Sequence, residues 1–274
     1  MGQKIEQGLK SPLLAGLLLA GLAATMVAGT VVAATALAAD VDEFMSGASK
    51  ACVGCDLSGR DLKDRNLQRA KLDRANLAKA DLSGATLFRG TLSRANLTGA
   101  TLTGANLNLV DGKWADFTGA DLSDTLMFEA DLSSANLAGA TLQGARLGRA
   151  RLNQANLEGA KLARSDLRGA RLAGARLKGA DMRGALLNGI LMRELDLRSV
   201  DFTMADMIET DLRDADLRDA QLAGVNLFGA NLNSADLRGA NFEGANLANA
   251  ILTDARLEGA KFDAAIMPDG RRAE

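Results

Sequence analysis

One hydrophobic position recurs at every fifth residue over most of the chain. From Leu57 to Met267 this core position occurs 43 times, and every occupant is Leu, Phe or Met except Gly112. Two residues earlier, a corner position runs from Cys55 to Ala265, and 31 of its 43 members are Ala. The residue between them is usually Asp, Asn, Thr, Arg or Lys, and the two residues after the core position are polar or Gly. The repeating unit is therefore Ala-(Asp/Asn)-Leu-x-x.

A period of five residues is not compatible with a regular helix or a straight strand. Five residues advance an α-helix by about 500°, so the Leu series would spiral around all sides of it. In a strand the side chains alternate between two faces, so an odd period would send successive Leu residues to opposite faces. A chain that turns a corner once per repeat keeps Leu and Ala inside. The pattern predicts a solenoid whose stacked coils are hydrogen-bonded like parallel strands.

The glycines indicate how many sides each coil has. We number the sides by their core residues, with the first at Leu57, the second at Leu62, the third at Leu67 and the fourth at Leu72, each repeating every twenty residues. Two residues after the core position, which we call the turn position, Gly occupies eight of eleven sites on the first side, six of eleven on the second, three on the third and one of ten on the fourth. The coil therefore has four sides. We expect positive φ at the turns that end the first two sides, and not in general on the fourth.

This repeat resembles the pentapeptide-repeat family over residues 55–269. The resemblance implies an all-β fold, a right-handed quadrilateral parallel β-helix of about eleven coils, which at ~4.8 Å per coil is about 50 Å long. Residues 40–54 are expected to form an N-terminal cap that contains a short helix with Phe44. Pro268 follows the last core residue, and residues 270–274 are a tail too short for a cap helix. The final layer is then either exposed or covered by a second subunit.

The first 39 residues have the features of an export signal. Lys4 and Lys10 precede an apolar run over residues 13–39 that ends in small residues at Ala36 and Ala38. This pattern predicts a signal peptide. The run is also long enough for an uncleaved membrane anchor, which needs ~20 residues. Both alternatives place the rest of the chain in the periplasm or otherwise outside the cytoplasm, membrane-anchored if the segment is retained.

The composition removes most catalytic chemistry. The chain has no His, and only 3% of its residues are aromatic. Without His there is no Ser-His-Asp triad, no ordinary proton shuttle and no usual zinc site. We therefore expect a protein that is not an enzyme and needs neither cofactor nor metal. A net charge of −2 does not favour nucleic acid as a partner.

Cys52 and Cys55 allow two interpretations. The first is a structural disulfide that ties the cap to the first coil, and the second is a thiol-disulfide redox site. No βαβ pattern surrounds the pair, and the expected compartment is oxidising, so the context favours the structural disulfide.

Two irregularities interrupt the repeat. Gly112 occupies a core position, and the sequence predicts a bulge or a partly filled core there, with Trp114 folding over it. At Ile190, Leu195 and Val200 three consecutive corner positions are bulky, so we expect the coil to widen locally.

Large apolar residues at outward positions are concentrated on the third and fourth sides. They form the candidate partner-binding set of Phe88, Phe128, Ile208, Phe228, Leu126 and Trp114. One interpretation is an apolar stripe that docks a protein partner, a second copy or a membrane surface. The other is that these side chains lie flat over neighbouring residues, because isolated apolar residues are normal on surfaces.

Charge is banded along the chain. Residues 145–183 contain ten basic and three acidic residues, whereas residues 193–219 contain nine acidic residues and four Arg. The basic band is either a patch for an anionic partner or a solvated surface with interleaved ion pairs.

These features predict a non-enzymatic, extracytoplasmic protein-interaction scaffold. Two alternatives remain. Some members of the family that the chain resembles mimic DNA and protect gyrase, although an export signal and basic bands count against that activity here. The other alternative is a redox protein that acts through Cys52 and Cys55.

Overall fold

The computed structural model describes residues 40–274, so the predicted signal peptide or anchor lies outside the described residues. The chain divides into two units, Met1–Ser49 and Lys50–Glu274. In the described part of the first unit, helix α1 spans residues 40–46, and the side chain of Phe44 is buried. Between residues 40 and 274 no helix is long and apolar enough to cross a membrane.

The second unit is a stack of coils joined by single-residue β-bridges. Bridges occur at every fifth residue from Ala51 to Ile266, and each parallel bridge joins residues twenty positions apart. This spacing demonstrates four sides per coil. The core residues Leu57, Leu77 and Leu97 are fully buried. The bridges place them one above the other in one interior column, which we define as a set of residues twenty positions apart.

Each side uses its backbone groups in the same way. On the first side, the Leu77 N–H donates to the Asn96 carbonyl of the next coil at 2.7 Å, and the Ala80 N–H closes a turn onto the Leu77 carbonyl at 3.0 Å. The N–H that follows the core residue points away from the neighbouring coils, and the Asp or Asn side chain accepts it, as when the Thr98 N–H donates to Asn96 Oδ1 at 3.1 Å. The sequence preference for Asp or Asn before Leu follows from this hydrogen bond.

All four sides end in left-handed turns, which corrects the expectation drawn from the glycines. Every turn position from Gly59 to Ala264 has positive φ, and 24 of these residues are not glycine. On the fourth side, for example, φ is 60° at Arg94 and 58° at Ser134. Each corner rotates the chain in the same sense, so each needs a type II turn. Glycine frequency therefore marks the period of the coil, but not the conformation of its corners.

Glycine at one of these strained turns should stabilise the protein. Ser134→Gly is expected to raise the free energy of unfolding by up to ~1 kcal/mol, because a non-glycine residue pays about 1–2 kcal/mol in the left-handed region. Part of that gain is lost to the greater freedom of glycine in the unfolded chain. Ser134→Val should destabilise, because a β-branched residue fits this region poorly. Urea unfolding measures both changes, and equal midpoints for the two variants would contradict the argument.

The hydrogen bonding between coils is interrupted at the first two bulky corners, where the sequence predicted a widening. Within residues 51–266 the series of bridges lacks two members, Arg171–Leu191 and Arg176–Asp196. The second residues of these two pairs, Leu191 and Asp196, come directly after Ile190 and Leu195, whose side chains are buried. The bridge after Val200 is retained, as are the bridges after the other Val corners, Val110 and Val225. A corner therefore accepts Val without separating the coils, whereas Ile and Leu push them apart.

This gap should be visible in amide hydrogen exchange. The N–H groups of Leu172 and Leu177 have no acceptor in the next coil among the described backbone hydrogen bonds, whereas those of Leu152 and Leu157 have acceptors at 2.8 and 2.7 Å. The first pair should exchange faster than the second by on the order of tenfold or more. Equal protection of the two pairs, measured by NMR, would contradict a gap at this level of the rod.

The core position at Gly112 shows no bulge, so the first of the two predicted alternatives was wrong. The neighbouring residue Asp111 is bridged to both adjacent coils, so the coil is regular. A Cβ atom on Gly112 would lie 3.0 Å from Leu132 Cδ2 and 3.8 Å from Val110 Cγ1. The side chains of Leu132 and Val110 therefore approach this position closely, and even an Ala at 112 would require Leu132 to move.

The last coil is only partly covered. Leu257 is 36% exposed, and Phe262, stacked on Phe242 with ring centroids 5.1 Å apart, is also partly exposed. On the third side the tail turns back, and Arg272 forms an antiparallel bridge with Ile266.

Candidate interaction surface

Most exposed apolar side chains lie on two adjacent sides of the rod. The exposed set on the third and fourth sides is Val53, Trp114, Phe128, Leu191, Phe228 and Ile251. Only two other large apolar side chains of the described chain are exposed, Met204 on the second side and Leu257 in the open last coil. The first two sides therefore present an almost entirely polar surface.

The structure places the candidate residues at different depths. Trp114 is 54% exposed, Phe128 44% and Phe228 41%. Phe88, Ile208 and Leu126 are partly buried. Only three of the six candidates are therefore well exposed.

Arginines lie over three of the aromatic rings. The guanidinium carbon of Arg94 is 5.2 Å from the Trp114 ring, and that of Arg149 is 5.7 Å from the Phe128 ring. Arg89 stands in the same relation to Phe88, at 5.2 Å. Trp114 thus contacts an arginine of the preceding coil and remains exposed, so the expectation that it folds over Gly112 was wrong.

Phe128 lies partly over a neighbouring residue and is also partly exposed, so it has features of both interpretations of the outward rings. A Cβ atom on Gly148, one coil further along, would lie 3.4 Å from a ring carbon of Phe128. The ring therefore leans along the rod over a residue without a side chain, yet much of its surface remains accessible. An arrangement of this kind offers a flat apolar face for contact with another surface.

The first side, in contrast, carries a ladder of ion pairs. In its C-terminal half, an arginine two residues after each aspartate forms a bidentate pair with it. These pairs are Asp196–Arg198, Asp216–Arg218 and Asp236–Arg238, with shortest distances of 2.5, 2.6 and 2.6 Å. Pairs between coils continue the ladder, since Arg198 also lies 3.6 Å from Asp216. The hydrogen bond from Arg218 is the main cause that lowers the pKa of Asp216.

This ladder predicts a component of acid sensitivity. A carboxyl group whose folded pKa is below its unfolded value of about 3.9 stabilises the fold above that value, and the contribution is lost as the pH falls through the folded pKa. Asp216→Asn should therefore flatten the loss of stability below about pH 4. The urea midpoint measured from pH 5 to pH 2 tests this, with Glu194→Gln, at a residue without an ion pair in the described chain, as the surface control. Parallel curves for Asp216→Asn and the unchanged protein would contradict it.

The basic band is only half neutralised. Five of its ten basic residues have a carboxylate within 4 Å, namely Arg149, Arg151, Arg168, Arg176 and Arg183. Over residues 40–274 no ion pair is found for the other five, which are Arg146, Lys161, Arg164, Arg171 and Lys178. A shallow groove lies where the third and fourth sides meet, and it is lined by Leu109, Glu129, Arg149, Arg151, Gly169 and Arg171. Ion pairs therefore account for half of the band, and a role of the other half in binding an anionic partner stays a prediction.

The two cysteines form a disulfide within a single turn. Their Cα atoms are 5.2 Å apart, and both side chains are buried. The Cys55 N–H donates to the Cys52 carbonyl, and φ at Gly54 is 69°. Cys-x-x-Cys here has the spacing of the Leu-x-x-Ala turn, with Cys52 at a core position five residues before Leu57. This extra repeat was not predicted, although the five-residue frame extends back from Leu57 to Cys52. That the bond is oxidised in the protein stays a prediction.

Within the described part of the chain, no group of three or more His, Cys, Asp or Glu side chains is arranged to hold a metal ion. The features that remain for function are the shape, charge and apolar surface of a four-sided solenoid.

The family model described as pentapeptide repeats matches this chain in eight copies, over residues 52–87, 91–127, 115–154, 130–169, 150–189, 196–233 and 230–267. The chain therefore belongs to the pentapeptide-repeat family, whose members form right-handed quadrilateral β-helices. A search of curated proteins finds no match.

Several solved structures are similar to this chain. HetL, a pentapeptide repeat protein involved in heterocyst differentiation regulation in the cyanobacterium Nostoc, is 31% identical over 85% of this chain and 97% of its own, with a TM-score of 0.44. Rfr23, from the cyanobacterium Cyanothece, is 29% identical over 47% and 85% of the two chains, with a TM-score of 0.28. QnrB1, a plasmid-mediated fluoroquinolone resistance protein, is 21% identical over 70% and 86%, with a TM-score of 0.33.

Proposed function

We propose that this protein is a non-enzymatic protein-interaction scaffold outside the cytoplasm, and that its partner docks on the third and fourth sides of the rod. The observation that carries the proposal is the distribution of exposed apolar side chains, six of which lie on these two sides. Exposed apolar area on one face of a soluble rod marks an interaction surface. Trp, Phe and Arg, which line this face, are enriched at protein interfaces.

The fold supports such a role because it holds the surface rigidly. Each column is fixed by hydrogen bonds to the coils above and below, so little conformational freedom remains to be lost on binding. Side chains such as Trp114 and Phe128 project from a backbone that is already ordered. The first side has no exposed large apolar side chain before Leu257 in the last coil, so it offers no comparable anchor.

Export is supported by the sequence of residues 1–39. Substituting Ala36 and Ala38 by bulky residues removes the small-residue signal for cleavage. The unchanged chain should then appear in the periplasm with its N-terminus near Ala39, whereas the substituted chain should keep its full mass and stay at the membrane. Fractionation and intact-mass measurement test this, and an uncleaved chain found in the cytoplasm would contradict it.

The two alternative functions have little support. A DNA mimic needs a continuous negative surface, which the unpaired basic residues of the band interrupt. A redox site needs an accessible sulfur, and the Cys52 and Cys55 side chains are buried.

The docking surface can be tested by photo-crosslinking in the producing cell. A photoreactive residue at positions 114 and 191, both exposed on the fourth side, should form an adduct with another protein. The matched controls are positions 178 and 243, which are exposed on the first and second sides. Adducts that form equally from the controls, or from none of the four positions, would refute the docking surface.

A further inference from the structure

The third side carries charges that are separated along the rod. Arg146 and Arg149 lie on one coil, while Asp206 and Glu209 lie three coils further on. In the described chain Glu209 has no ion pair, and the one carboxylate near Arg149 is Glu129 at 3.5 Å, a pair exposed enough to contribute little. Asp206 accepts hydrogen bonds from Asn188 and Asn226 at 3.0 and 3.1 Å, and it has no ion pair in the described chain. This side therefore keeps opposite charges available for contact with another molecule.

The regular register makes the third side self-complementary. On the third side every bridge from Asn66 to Ile266 is present, and each joins residues twenty positions apart, so each column advances by one coil per twenty residues. Consider a two-fold axis that crosses this side at right angles to the rod, halfway between Arg168 and Asn188. It places each column against the same column of a second copy, in reverse order. Arg146 then faces the partner's Asp206, and Arg149 faces the partner's Glu209.

The uncharged positions match about the same axis. Phe128 faces the partner's Phe228, and both rings are exposed. The partner's Ile208 comes opposite Gly148, where it meets the Phe128 ring that leans over this glycine. At the centre Gly169 comes opposite the partner's Gly189, so the two backbones can approach closely.

The match extends to the ends of the side. Phe88 faces the partner's Pro268, and Arg89 faces the partner's Asp269. The least favourable contact sets Leu186 against the partner's Asp166. The charge of that aspartate is already paired with Arg168 of its own chain, with a distance of 2.7 Å.

We propose that the third side binds a second copy of this chain, face to face and antiparallel, in a two-fold dimer. The inference rests on the proposed use of this side for interaction, and it leaves the fourth side, with Trp114 and Leu191, to the other protein. Parallel rods in register, related by a two-fold axis along the rod, would set Arg146 against the partner's Arg149 and Asp206 against the partner's Glu209. The antiparallel arrangement pairs opposite charges at both positions, twice each by symmetry.

The size of the contact is adequate for a reversible dimer. About ten layers at ~4.8 Å and a side of at most about 16 Å give roughly 700 Å² per chain. This area is slightly below the roughly 800 Å² per partner of a standard interface. We therefore expect a dissociation constant on the order of micromolar at low salt.

Charge reversal tests the arrangement. Arg149→Glu alone and Glu209→Arg alone should each weaken the dimer at least about tenfold, because each places two like-charged pairs in the interface. An equimolar mixture of the two variants should form a heterodimer as strong as the original dimer, since both contacts are again of opposite charge. The matched control is Arg164→Glu, which alters another exposed turn-position Arg, with φ of 59°, on the second side. Sedimentation equilibrium of the protein as the cell produces it measures all four.

Three results would overturn the dimer: a monomer at all concentrations in low salt, charge-reversal variants that behave like Arg164→Glu, or a mixture that does not recover. A photoreactive residue at position 128 gives a second readout, because it should attach to the peptide that contains Phe228 of a second copy. Adducts at position 114 with another protein are independent of these results. If they persist without a dimer, only this inference fails, and if the dimer forms without them, the scaffold proposal fails.

Discussion

Replacing Leu157 by Ala is expected to lower the free energy of unfolding by about 2–5 kcal/mol, the largest effect of any conservative substitution considered for this protein. Leu157 is fully buried in the first-side column between Leu137 and Leu177. Its side chain is one of the four core side chains of its coil, which form one layer of the core. The coils above and below are held by backbone hydrogen bonds. The coil cannot collapse onto the cavity without breaking those bonds, so the full cost of the lost contacts should be observed.

The same column provides the control. Leu257 occupies the last first-side position and is 36% exposed. Leu257→Ala should cost less than half as much, because solvent already reaches its side chain. Urea unfolding followed by circular dichroism measures both variants. Equal losses would mean that the last coil is covered in solution, or that the columns do not define the core.

Replacing Ala150 by Leu is expected to lower the free energy of unfolding by about 1–3 kcal/mol, because the larger side chain would overfill the corner. Ala150 is fully buried at a fourth-side corner, and the adjacent residue Arg151 is bridged to both neighbouring coils. The natural corners at Ile190 and Leu195 show what a large side chain does there, because the bridge that follows each of them is missing. The substitution should open the same gap after Ala150.

Ala150→Val is the matched control, since the bridges after Val110, Val200 and Val225 are retained. We expect Val to cost less than about 1 kcal/mol and to preserve slow exchange at the amide of Arg151. A Val variant as unstable as the Leu variant would show that the size threshold inferred from the natural corners is wrong.

Both substitutions act within one layer and its neighbours, which is the behaviour of a solenoid. Stability is the sum of terms for each coil and each interface between coils. The missing bridges at Leu191 and Asp196 therefore mark a weak level in the rod, at about the height where the proposed two-fold axis crosses the third side. A dimer across that level would support coils that the chain itself holds less firmly.

Much of the core could be predicted from residue types alone. The period of five placed Leu and Ala inside, and the twenty-residue grouping of Gly gave four sides, which the bridges confirm. The conformation of the corners could not be predicted in this way. Glycine tolerates positive φ but is not required for it, and residues such as Arg94 adopt it because hydrogen bonds to two neighbouring coils impose the turn.

The irregular positions were the hardest to predict. Gly112 suggested a bulge, but the bridges of Asp111 are regular, and Leu132 of the next coil packs close to the glycine. Cys52 and Cys55 looked like a motif outside the repeat, yet their spacing is that of the turn itself. For Gly112 the contacting residue Leu132 is twenty residues away. For the cysteines, the turn is recognised only when the five-residue frame is extended back from Leu57. Inspection of the local sequence was therefore not enough.

The amino-acid sequence by itself determined the coil, its four sides and the side on which apolar residues face outward, because these depend only on the spacing of residue types. The tertiary structure decided which charges find partners. Asp216 is neutralised by arginines of its own and the preceding coil, while Glu209 is left without one. This difference depends on the distances between side chains on stacked coils, which the order of residues along the chain does not specify.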